Sequence, residues 1–179
     1  MGVITGGVQL VEGSYGPIYN AGVPVDGTDS IQTITFGTGI TGGTFKLAWY
    51  GFTTSAITWT ATDATLVANI DAALGALPNV GSASNVTAAD TTVTSGIGDV
   101  TVTFVAALGK MAIPVMTVAD NSLTGTTHEI TIVDTTPGVA ATGRGMAKGA
   151  TIVDVTNGDL YMNSGTAAAP TWGLVAVQT

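Results

Sequence analysis

Short runs in which apolar and small polar residues alternate constrain this chain more than any other feature. Phe45, Leu47 and Trp49 alternate with Thr44, Lys46, Ala48 and Tyr50, the period-2 signature of a strand with one face on a core. The pattern returns at Ile57 and Trp59, at Val86 and Val93, at Val100, Val102 and Phe104, across Ile113 to Val118, and at Ile130 and Ile132. The 32 threonines suit the outer faces of such strands, because their branched Cβ favours extended backbone. One segment breaks the rhythm. Leu66, Ile70, Ala73, Leu74 and Leu77 form a stripe of period 3.6, which predicts a helix over 63–77, capped by Thr62 or Asp63 and limited by Pro78. One helix among six or seven short strands predicts a mainly β (α+β) fold, with a sandwich-like central domain over 31–137.

The two flanks have a different texture. Residues 1–30 carry Gly2, Gly6, Gly7, Gly13, Gly16, Pro17, Gly22, Pro24 and Gly27, which interrupt any long element, yet Val8, Leu10, Val11, Tyr15, Ile18 and Tyr19 need a surface to cover. This predicts an extended arm. A loose linker is expected over 138–149. Over 150–179 a hairpin turning at Asn157-Gly158 and a last strand from Leu174 to Val177 are too small to make a core alone and are expected to pack with the arm.

Composition narrows the chemistry. Four Lys and Arg (Lys46, Lys110, Arg144, Lys148) against twelve Asp and Glu give a net charge of −8, the wrong sign for clustered phosphate contacts, so no nucleic-acid partner is expected. There is no cysteine and one histidine, which removes thiol nucleophiles and Cys- or His-based metal cages. No secretory signal and no apolar span of membrane length is read.

The remaining motifs favour plain structural roles. The segment from Asp154 to Asp159 has acidic residues at its ends like a calcium loop, but Gly158 stands where a ligand belongs and no bidentate Glu follows. Asp120 to Gly125 reads as a polar loop. Gly37 to Gly43 lacks the Lys-Ser/Thr of a phosphate loop and reads as a flexible connection. His128 beside Glu129 has no nucleophile motif near it, and the two glutamates, Glu12 and Glu129, lack aromatic neighbours. Trp49, Trp59 and Trp172 could stack on a sugar, but two of them fall on core-facing strand positions. No catalytic residue, metal or cofactor is expected.

Several segments carry a family resemblance. GTFKLAWYGFTTSAI (43–57), the helix that follows, LPNVG (77–81), VTVTF (100–104) and ADNSLTG (119–125) together resemble a β-rich module of phage virion proteins and large bacterial surface proteins. The flanks GVQLVEGSYGPIYN (7–20) and GDLYMNSGTAAAPTW (158–172) resemble the ends of small head or decoration proteins of tailed bacteriophages. The resemblance implies a non-enzymatic capsid decoration (head accessory) protein on the virion exterior. Its partner would be the major capsid protein and its assembly a homo-oligomer, a trimer. Capsid or protomer contacts would then fall on Val8, Leu10, Val11, Tyr15, Ile18, Tyr19, Tyr161 and Trp172. The alternative is a head-fibre, tail or host-attachment protein whose central domain binds a cell-surface glycan.

Overall fold

The computed structural model describes residues 18–20 and 22–176. The chain forms two compact units, a continuous one over 27–141 and a discontinuous one whose described residues lie in 18–26 and 142–176. These boundaries fall a few residues from the 30/31 and 137/138 positions expected from sequence. The described strands are β1 (Ile18–Asn20), β2 (Ile31–Phe36), β3 (Ile40–Trp49), β4 (Phe52–Thr53), β5 (Ile57–Thr58), β6 (Val86–Asp90), β7 (Gly98–Phe104), β8 (Thr117–Gly125), β9 (Ile130–Thr136), β10 (Thr151–Asp154), β11 (Asp159–Asn163) and β12 (Trp172–Ala176). The one α-helix among the described residues, α1, spans Asp63–Gly75. The chain is mainly β with one helix and several antiparallel sheets.

The central unit is a sandwich. One sheet runs β6-β7-β2-β9, and in the other β3 pairs with β4 and β5 as well as with β8. Register places Ile34 opposite both Val100 and Ile132, so strict alternation along β2 and β7 sends Ile34, Phe36, Val100, Val102 and Phe104 into the core. Phe45, Leu47 and Trp49 of β3 meet them from the other sheet. Phe36 and Phe45 contact edge to face at 5.3 Å, and Trp49 lies 5.1 Å from Phe104. Each such side chain contributes on the order of 2 kcal/mol by leaving water. The opposite face of the first sheet is largely threonine. Thr35 Oγ1 donates to Asp99 Oδ1 at 2.6 Å, and the Thr33 and Thr135 hydroxyls bond to each other.

The helix buries Leu66, Ile70, Ala73 and Leu74, the stripe read from sequence. It ends at Gly75, two residues earlier than expected, with Ala76 as its C-cap, and a turn over 76–80 leads on to a short 3-10 segment at Ala83–Asn85. Its N-terminus also differs. Thr62 occupies the cap without a side-chain hydrogen bond, and Asp63 instead accepts the Gly96 N–H at 2.8 Å. Asp71 accepts the Ala88 N–H at 2.8 Å, so the helix blunts the free edge of β6.

Two expectations are corrected. The segment 113–116 lies outside any strand, and the polar stretch from Asp120 to Gly125 is part of β8, paired with β3. Polar residues suit it because only Leu123 of that strand is buried. Gly37 to Gly43 is likewise more ordered than a flexible connection: Gly37 and Gly39 donate to Glu129 O and Thr127 O, and β3 begins at Ile40.

What positions segment 113–116 is Gln32, fully buried in β2. Its Nε2 donates to Pro114 O at 3.0 Å and its Oε1 accepts the Met116 N–H at 2.8 Å.

Candidate functional site

The terminal unit is one four-stranded sheet in the order β1-β10-β11-β12. β1 runs parallel to β10, with Ile18 opposite Ile152, and the other pairings are antiparallel. A strand from the start of the chain therefore completes the sheet made by the end of it.

Polar hubs hold this sheet together. Asp154 is fully buried, and its Oδ1 accepts the Gly22 N–H at 2.9 Å and the Thr156 N–H at 2.8 Å, while Oδ2 accepts from Asn157 Nδ2 at 2.8 Å. Burial raises this carboxyl, but the hydrogen bonds from Thr156, Asn157 and Gly22 outweigh it and hold it below the usual carboxylate range. This carboxylate is engaged by N–H donors at both oxygens, so its role in the segment is to hold the turn. The same carboxylate reshapes the hairpin. Residues 155–158 form a four-residue turn closed by Gly158 N–H on Asp154 O at 2.7 Å, in place of a two-residue turn at Asn157-Gly158. Positive φ is needed only at Gly158.

Asn163 is the second hub. Its Nδ2 donates to Met146 O at 2.9 Å, and its Oδ1 accepts the Gly165 and Thr171 N–H groups at 2.9 and 3.0 Å, clasping the 164–171 loop. Its backbone N–H bonds Ala150 O, and its carbonyl accepts from Gly149. The stretch read as a loose linker is thus pinned: Val139 bridges to Thr28, Ala141 N–H reaches Lys110 O, and Thr142 N–H reaches Val25 O.

Of the expected contact residues, Val8, Leu10, Val11 and Tyr15 lie outside the described residues. Ile18 and Tyr19 lie on β1, where their backbone pairs with β10. Tyr161 is buried, in register with Ile152, and burial with the nearby Asp159 and Asp154 charges raises its phenol above the ordinary value. Trp172 is half-buried, and its Nε1 donates to Thr142 O at 2.9 Å. Tyr161 and Trp172 therefore hold the unit together internally rather than facing outward.

The outward apolar side chains are others. Val23, Val25, Val155, Met162, Leu174 and Val175 are all exposed, six among the described residues of this small unit against five large apolar ones on the much longer central unit. Alternation explains the arrangement. Ile152 and Tyr161 point to the covered face, and Val153, Leu160 and Met162 point to the other, where Met162 is exposed. The end strand β12 carries Leu174 and Val175, more than half exposed, beside a bulge opposite Leu160 and Tyr161. The sequence signal was present in the alternation around Met162 and in the strand at Leu174. Tyr161 and Trp172 carry no such signal of their own, because residue type does not show whether a ring is buried.

His128 is exposed in a loop, with Nδ1 3.1 Å from Gly125 O. Among the described residues no three His, Asp or Glu side chains gather as a metal site, and no helix is long and apolar enough to cross a membrane. Trp49 and Trp59 are core residues, with Trp59 Nε1 donating to Gly96 O at 3.0 Å. The chain matches no known family model and no curated protein.

Proposed function

We propose that this chain is a structural virion protein that binds the outer surface of a tailed-phage capsid and stabilises the shell. One observation carries the reading: the unit whose sheet is assembled from both ends of the chain leaves Val23, Val25, Val155, Met162, Leu174 and Val175 in water. Exposed apolar groups clustered on a small unit mark a protein-contact surface. The resemblance of both flanks to head and decoration proteins points to the same surface, and the acid-rich composition suits a position away from packaged DNA.

The mechanism is mass action. A protein that binds only the expanded shell stabilises it by RT ln(1 + [L]/Kd), about 2.7 kcal/mol at a hundredfold excess over Kd. Bridging neighbouring capsid subunits converts that energy into resistance to internal pressure. A cyclic trimer is the assembly proposed.

The test is the heat stability of expanded capsids from the phage that encodes the chain, with and without the purified protein. The proposal expects saturable binding and a higher disruption temperature. Absence of binding to expanded shells would refute it.

A further inference from the structure

The central unit holds a hollow that capsid attachment does not use. It has a volume of about 240 Å³ and lies between β5 and the second half of α1, lined by Ser55, Ala56, Ile57, Thr58, Asn69, Ala72 and Ala73. None of these residues is charged. An ionic ligand would require an opposite charge or several charge-assisted hydrogen bonds, so the occupant is neutral.

The hollow offers hydrogen bonds that the protein leaves open. Asn69 Nδ2 donates to Thr58 O at 2.9 Å, which fixes the amide plane and leaves Asn69 Oδ1 as an acceptor. Ser55 and Ala56 form the link between β4 and β5, and neither N–H donates to another backbone group there. The Ser55 hydroxyl adds a donor and acceptor. The methyls of Ala56, Ala72 and Ala73 supply an apolar floor between these groups. Hydroxyl and amide groups around small apolar patches match the alternating O–H and C–H faces of a sugar ring. The volume is smaller than that of sites for drug-sized ligands, which fits one ring.

A second feature lies on the same edge of β3. Both β4 and β5 pair with β3, Phe52 opposite Trp49 and Ile57 opposite Phe45, so the hairpin tip lies about 14 Å along the strand from the hollow. That tip presents Tyr50 and Phe52, 61% and 44% exposed, with the Tyr50 ring held edge-on against Trp49 at 4.8 Å. Tyr50 has φ 49°, a left-handed conformation that a two-residue hairpin turn normally assigns to Asn or Gly. A bulky ring kept at a strained position and in water is a display, and an exposed ring offers an apolar face with a polar edge.

We infer that the central unit binds a neutral saccharide, one ring seated in the hollow between β5 and α1 and the chain continuing toward Tyr50 and Phe52. This holds whatever the terminal unit grips.

The test uses the full chain, isotopically labelled, titrated with glucose, galactose, mannose, N-acetylglucosamine and N-acetylgalactosamine and with neutral oligosaccharides of each, with sialic acid as the charged control. Shifts at the amides of Ser55 to Thr58 and at the Asn69 side chain are expected with millimolar affinity for at least one neutral sugar and none for sialic acid. Oligosaccharides are expected to bind at least tenfold more tightly than the free sugar and to shift Tyr50 and Phe52 as well. Ala72→Leu fills the hollow from an exposed helix position with a good helix former, and should reduce affinity at least tenfold with the amide spectrum otherwise retained. No shift at these residues with any neutral sugar, or shifts that persist unchanged in Ala72→Leu, would overturn the inference.

Discussion

Asp26 and Trp172, 146 positions apart, are joined by a hydrogen bond in which the Trp172 N–H donates to Asp26 Oδ1 at 2.8 Å. The Trp172 indole donates in turn to Thr142 O, so one residue ties β12 to the chain on either side of the central insertion. Trp172→Phe keeps the ring and removes the indole N–H. The expected cost is about 1.5 kcal/mol, confined to the terminal unit. Hydrogen exchange should show faster amide exchange over 142–176 and unchanged exchange over 27–141.

Asp154 makes that unit sensitive to acid. Its folded carboxyl lies below the unfolded value, so its stabilisation is present above the unfolded pKa and is lost as pH falls through the lower folded one. Exchange protection over 150–163 should therefore fall on acidification through and below the ordinary carboxylate range. In Asp154→Asn an amide N–H would face the Asn157 Nδ2 donor. That variant should be less protected at neutral pH and lose less on acidification.

Gln32 is the corresponding hub of the central unit. Gln32→Ala leaves the buried Met116 N–H without its acceptor and opens a cavity under segment 113–116. A loss of about 3 kcal/mol is expected, measured by urea denaturation with the buried tryptophans as probe.

Tyr50 and Gly51 both have positive φ, 49° and 79°, at the β3–β4 turn. Tyr50→Asn places the preferred residue there and should stabilise the chain by about 0.5–1 kcal/mol, read as a higher denaturation midpoint with an unchanged slope. The same variant should bind oligosaccharides more weakly than the wild type.

The sequence made the sandwich and its helix legible because one-sided burial writes itself as a period: Phe45, Leu47 and Trp49 at two, Leu66, Ile70 and Leu74 at three to four. β8 was hidden because a strand with only Leu123 buried has no apolar face to reveal it. Gln32, Asp154 and Asn163 were missed for a different reason. Each is a polar side chain whose partners are mostly backbone groups, up to 132 positions away for Asp154 and Gly22, and backbone groups leave no mark in residue identity. The outward face of the terminal sheet was legible as an apolar excess, but which side chains face water depended on the register of β10, β11 and β12.

Capsid attachment through the exposed apolar side chains of the terminal unit is tested most directly by co-sedimentation of the full chain with expanded capsids, comparing wild type with the triple variant Met162→Ser, Leu174→Ser, Val175→Ser. All three residues are exposed, so the fold should persist, as exchange protection over 150–163 will report. At least a tenfold loss of affinity with the sheet intact is the result predicted. Equal binding by the folded triple variant would contradict the assignment of these exposed side chains to the capsid.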